Sequence, residues 1–124
     1  MRADLHRRIL LVDDEPSVRD LLRTFLELRG FVLTVASTAR EAFAASAGAR
    51  FDLLVIDIHL PDGAGSDVAY RLRQQQPGMR VVFISGAPDV TADLVERGSD
   101  PVLTKPFSMR DLDRVVRATL DRAA

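Results

Sequence analysis

Five short apolar runs punctuate the chain, at 9–12 (ILLV), 31–36 (FVLTVA), 53–56 (LLVI), 81–84 (VVFI) and 102–103 (VL). Those at 9–12, 53–56 and 81–84 contain no polar residue, the pattern of parallel strands covered on both faces. Between the runs the period changes. Val18, Leu21, Leu22, Phe25 and Leu26 form one apolar stripe at i, i+3, i+4, i+7 and i+8. Pro16 suits its first turn and Gly30 its stop. A second stripe, Met109, Leu112, Val115, Val116 and Leu120, opens with Ser108 and Asp111 spaced as a capping box. Segments near 38–47, 66–76 and 89–97 fill three further helical slots. Strand and helix thus alternate five times, which predicts an α/β fold, a doubly wound five-stranded parallel sheet of the form (βα)5. Such sheets bind ligands beyond the C-terminal ends of their strands, where the winding reverses.

The residues at those ends are polar. The first run is followed by Asp13, Asp14 and Glu15, the third by Asp57, the fourth by Ser85, and the fifth by Thr104, Lys105 and Pro106. The second ends in Ala36 and adds no functional side chain, as suits an edge strand. Three adjacent carboxylates are costly. At roughly 5 Å and an effective dielectric of about 20, each like-charged pair costs about 3 kcal/mol. Singly, these residues have ordinary explanations: a helix cap, a turn hydroxyl, a solvated lysine. Their coincidence at four strand ends does not. Lys105 is moreover the one lysine in the chain, beside sixteen arginines.

Together they describe a site for a hard cation and a phosphoryl group. Mg2+ favours a few carboxylate oxygens plus water and phosphate, which Asp13 or Asp14 with Asp57 can offer. An ionised Asp57 can attack phosphorus and form an aspartyl phosphate. Lys105 offers a mobile point charge for a phosphoryl or carboxylate oxygen, a task for which an Arg fork is not equivalent. Ser85 can donate to another phosphoryl oxygen. Little more is required, because phosphoryl transfer depends mainly on positioning and charge neutralisation.

Composition narrows the classes. The 124 residues show no repeat or linker, so the expectation is one domain, 1–124, without an output domain, whether standing alone or cut from a larger protein. A net charge of −1 exerts no pull on nucleic acid or an anionic membrane, so neither is expected as a partner. The chain has no cysteine, which excludes disulfides and cysteine-ligated zinc and fits a reducing compartment. No apolar stretch reaches spanning length, and no signal-peptide core follows the charged start, so the expected location is cytoplasmic. The arginine and alanine bias points to a bacterial source.

The segments LLVDDEP, DLLVIDIHLPDGAG, VVFISG and VLTKPF, in this order, resemble the response-regulator receiver domain of two-component signalling. The resemblance covers essentially the whole chain and is to a chemotaxis-receiver-like domain. It implies a flavodoxin-like sheet of strand order 2-1-3-4-5. It also implies that Asp57 is the phosphoacceptor, charged from a phosphohistidine on a sensor histidine kinase or histidine phosphotransfer protein, and that a downstream protein reads the result. Asp13 and Asp14, with Asp57 and the main-chain carbonyl of His59, would hold Mg2+. Ser85 would be the switch hydroxyl, Gly86 would leave the phosphoryl site open, and Lys105 would bind the phosphoryl through a loop with a cis Lys105–Pro106 bond. Such a domain is a signalling protein that supports its own phosphotransfer and autodephosphorylation, not a turnover enzyme.

Two features depart from the family pattern. Val102 occupies a position usually held by Tyr, Phe or His, and Pro101 before it lacks a main-chain donor. The segment between Ser85 and Gly98 is also shorter than usual. The expectation is that the loop after Ser85 carries the signal, with little side-chain gating at Val102. His59 is either an exposed loop histidine or a group that tunes dephosphorylation. The competing readings are a phosphorylation-independent receiver-like binding module and a haloacid-dehalogenase-type phosphatase. The phosphatase would want an Asp where His59 stands. No dinucleotide turn, Walker loop or H-E-x-x-H motif is present.

Overall fold

The computed structural model describes residues 7–86 and 100–122. The helix expected near 89–97 and most of the loop after Ser85 lie outside them. Strand β1 (Arg8–Val12) leads into α1 (Pro16–Leu28), and β2 (Val32–Ala36) into α2 (Ala39–Gly48). Strand β3 (Leu53–Asp57) is followed by a short antiparallel pair, β4 (His59–Leu60) and β5 (Gly63–Ala64), and then by α3 (Gly65–Gln75). Strands β6 (Arg80–Ser85) and β7 (Val102–Thr104) precede the last helix, α4 (Met109–Asp121).

The main sheet is parallel throughout, in the order β2-β1-β3-β6-β7. Counting the five long-range strands alone, this is the expected 2-1-3-4-5, and the winding reverses between β1 and β3. Successive side chains of the central strands enter opposite layers. Leu10, Val12, Leu54, Ile56, Val81 and Phe83 pack with α2 and α3 through Ala42, Val68 and Leu72. Ile9, Leu11, Leu53, Val55, Val82 and Ile84 pack with α1 and α4 through Leu22, Leu26, Leu112 and Val116. Two buried faces explain why these runs do not alternate.

The helix ends follow the chemistry expected of them. Pro16 stands in the first turn of α1, and Gly30 closes it at φ 99°, a left-handed value that favours glycine. Ser108 and Asp111 form the expected capping box of α4, each side chain bonded to the other's backbone N–H. Asp62, in the β4–β5 turn, accepts from the Ala39 and Arg40 N–H groups and so caps α2 from outside its own segment. At the far edge, the Phe83 N–H donates to the Pro101 carbonyl (3.0 Å), and Val102 lies opposite Phe83, half-buried against the α2/α3 core.

Candidate functional site

The C-terminal ends of β1 and β3 are adjacent, with Val12 opposite Ile56 in register, so Asp13 and Asp57 emerge side by side. Carboxylate oxygens of Asp13, Asp14 and Asp57 lie within 4.8 Å of one another. Asp13 is fully buried, Asp57 nearly so, and Asp14 exposed. The end of β2 holds this corner by its backbone: the Asp13 N–H donates to the Ala36 carbonyl (3.1 Å). Strand β2 thus contributes to this corner through a backbone carbonyl.

Lys105 reaches the carboxylates from the far side of the sheet. Its own N–H donates to the Ser85 carbonyl (2.8 Å), which extends the β6–β7 pairing by one step, and a cis bond links it to Pro106. Its Nζ lies 3.1 Å from Asp57 Oδ2, 3.6 Å from Asp13 Oδ2 and 3.2 Å from Glu15 Oε1. The second oxygen of Asp57, Oδ1, accepts the His59 N–H at 2.8 Å. His59 thus serves Asp57 through its backbone, while its side chain is exposed. Ser85 is fully buried at the end of β6, one strand over from Asp57. A Cβ on Gly86 would meet the Lys105 side chain at 3.8 Å, an ordinary contact, so glycine there is not required by space.

These contacts set the charge balance. Burial pushes the Asp13 carboxyl above its ordinary value, and the charges of Asp57 and Asp14 push it further. The Glu15 N–H and the Lys105 ammonium work against that rise without cancelling it. Lys105 is raised above its ordinary 10.5: burial works to lower it, and its contacts with Asp57, Asp13 and Glu15 outweigh the burial. Asp13 Oδ1 accepts the Glu15 N–H at 2.9 Å, but Oδ2 is buried and has no hydrogen-bond donor. An orphaned buried carboxylate oxygen beside two further carboxylates is what a hard divalent cation would satisfy. All the available donors are oxygens, which fits Mg2+ and not a thiophilic metal.

Three contributors were not singled out by sequence reasoning. Glu15 was counted among the crowded acids but given no role, and it proves to be a third partner of Lys105. The Ala36 carbonyl carries no sequence signal. Gly65 opens α3 directly against the end of β3. Its N–H donates to the Ile58 carbonyl (2.7 Å), and a Cβ there would sit 2.2 Å from the Asp57 carbonyl oxygen. A glycine at the start of a helical stripe was the available clue.

Residues 9–117 match the family described as the response regulator receiver domain. The chain is 36% identical over 117 residues to the probable transcriptional regulatory protein TcrX of Mycobacterium tuberculosis, covering 92% of this chain and 50% of that protein. It is 37% identical over 122 residues to the alkaline phosphatase synthesis transcriptional regulatory protein PhoP of Bacillus subtilis, covering 96% and 50%. The chain therefore spans about half the length of these relatives. Among solved structures, a CheY-like receiver domain protein from Methanospirillum hungatei superposes with a TM-score of 0.84 at 30% identity, covering 94% of each chain. The response regulator TrrA of Thermotoga maritima, solved in complex with Mg2+–BeF, superposes at 0.81 with 28% identity, covering 91% of this chain and 98% of that one. The regulators' names concern transcription, so the expectation that nucleic acid plays no part does not extend to such longer proteins. Among the described residues, no helix is long and apolar enough to cross a membrane.

Proposed function

Because the chain belongs to the response regulator receiver domain family, we propose that it accepts a phosphoryl group on Asp57 from a phosphohistidine of a sensor kinase or phosphotransfer protein. One observation carries this reading. Asp57 is held at both oxygens, by the His59 N–H and by the Lys105 ammonium, beside an Asp13 oxygen that has no donor. Asp13, Asp14 and Asp57 would hold Mg2+, with the His59 carbonyl as a further oxygen donor. The ion would neutralise charge between the carboxylates and the incoming phosphoryl.

The chain's own groups supply the rest. An Asp57 oxygen forms the new bond to phosphorus, the phosphorus–nitrogen bond of the donor breaks, and the departing imidazole keeps the electron pair and takes up a proton. Lys105 follows the negative charge from the Asp57 carboxylate to a phosphoryl oxygen, which holds the transferred group in place. Ser85, buried at the next strand end, provides the hydroxyl that meets it. Water then returns the domain to its resting state, so the chain times a signal and is not a turnover enzyme. Val102 lies beside Phe83 in register and has no ring to turn, so the change leaves through the loop after Ser85. In longer relatives with transcriptional roles, the readout would act at DNA through the segments they add. A cytoplasmic location fits a donor of this kind.

Intact mass after incubation with Mg2+ and acetyl phosphate tests the reading. One phosphoryl adduct is expected, lost in Asp57→Ala and lost with EDTA. No adduct where calorimetry shows Mg2+ binding would favour a binding module that works without phosphorylation.

A further inference from the structure

We infer that Glu15 selects among phosphodonors, disfavouring small phosphate dianions through its charge at the mouth of the site. This rests on the phosphoacceptor reading of Asp57. Of the three carboxylates around the Lys105 ammonium, Asp13 and Asp57 have side chains 0% and 9% exposed, whereas that of Glu15 is 59% exposed. Glu15 is therefore the one that an arriving donor meets first. Its place is fixed from below, because its N–H is bonded to the buried Asp13 Oδ1. On its other flank runs an apolar groove lined by Val18, Leu21, Pro106, Phe107 and Met109, where Lys105 is the one cation among the described residues.

The charge count makes Glu15 decisive. Asp13, Asp14, Asp57 and Glu15 against Lys105 leave three uncompensated negative charges, and a divalent cation leaves one. The three aspartates are committed to holding the ion and accepting phosphoryl. The residual charge seen by a donor is thus set by Glu15. Without it the metal-loaded site would be neutral. With it, each negative charge on the donor is penalised. A unit charge at an exposed mouth is worth about 2.5-fold in association per donor charge at low ionic strength, hence about sixfold for a dianion.

The test compares two donors of different charge on the wild-type chain and on Glu15→Gln, at saturating Mg2+ and low salt, with adduct formation followed by intact mass. Acetyl phosphate is a dianion near neutral pH. Phosphoramidate is a monoanion, its nitrogen protonated. With either donor the Asp57 oxygen–phosphorus bond forms, the phosphorus–oxygen or phosphorus–nitrogen bond breaks, and acetate or ammonia leaves. In Glu15→Gln, the second-order rate constant of adduct formation should rise about sixfold with acetyl phosphate and about 2.5-fold with phosphoramidate, and both gains should fade at high salt. Calorimetric titration with MgCl2 should show binding about sixfold weaker, since the same field that repels a dianion attracts a dication. Glu27→Gln, which removes a charge at the other end of α1, should change neither ratio.

If Glu15 only anchors Lys105, both donors would change by one factor, independent of salt, and the inference would fall. Equal rates in Glu15→Gln and wild type would also overturn it. A wild-type chain that takes phosphoryl from neither donor would instead sink the phosphoacceptor reading, and the inference with it.

Discussion

Asp57 depends on a residue that never touches its carboxylate. Gly65 brings the first turn of α3 so close to the end of β3 that a methyl group would stand 2.2 Å from the Asp57 carbonyl oxygen and 3.0 Å from the Ile58 Cα, both in backbone that cannot move aside cheaply. Gly65→Ala must push α3 away or twist the strand end that presents Asp57. A loss of about 2 kcal/mol in stability is expected, the usual scale of an overpacked site. Denaturant midpoints would measure it, and acetyl phosphate labelling of the folded fraction should fall as well. Unchanged labelling would mean that the strand end tolerates the shift. Asp13 shows the opposite economy. Its burial is unfavourable even with the Lys105 ammonium 3.6 Å away, and becomes useful when a divalent cation is bound.

At the scale of elements, the side chains that join segments are polar and buried. Gln76, just past α3, accepts the Phe51 N–H at 2.9 Å and donates to the Ser46 and Ala49 carbonyls at 3.2 and 2.9 Å. One amide thereby ties the end of α2 to the start of β3. Gln76→Met keeps the volume and orphans three backbone groups. The expected cost is about 3 kcal/mol, at roughly 1 kcal/mol or more for each buried group left without a partner. Urea unfolding would show it as a lower midpoint at unchanged slope. A loss below about 0.5 kcal/mol would mean that water replaces the amide. The last helix is held in a similar way: Arg80 donates to the Thr119 carbonyl (2.7 Å) and Arg7 to that of Leu120 (3.2 Å).

Across the whole molecule, the acidic site opposes the fold that builds it. Asp13 has a folded value raised above 3.8, so the native state binds its proton more tightly than the unfolded chain, and stability falls as pH rises from 3.8 through that value. Asp62 and Asp111 are lowered by the backbone N–H groups they cap, so their contribution is present above 3.8 and is lost as pH falls below it. Lys105 is raised, so its contribution is lost only above 10.5. In EDTA, thermal midpoints should therefore decline as pH rises from 3.8, until Asp13 is ionised in the folded state. Adding Mg2+ should lift the neutral value and remove the decline, as should Asp13→Asn without metal. Midpoints that stay flat from acidic to neutral pH in EDTA would show that Asp13 is not a net burden.

The periodicity of the chain determined its fold class. Unbroken apolar runs need two covered faces, stripes at helical spacing supply the covers, and proline, glycine and the Ser108–Asp111 pair mark where helices begin and end. Asp57, its acidic neighbours and the lone lysine could also be read in sequence, because charges at strand ends collect wherever parallel strands share a direction. What needed the tertiary structure were relations across chain distance: Glu15 against Lys105, the Ala36 carbonyl under Asp13, Asp62 capping α2, and α3 pressed onto Asp57 at Gly65. Backbone carbonyls have no residue signature, and a glycine is required by its neighbours in space rather than in sequence. Local pattern is written residue by residue, whereas burial and field at this site exist only after distant segments have packed.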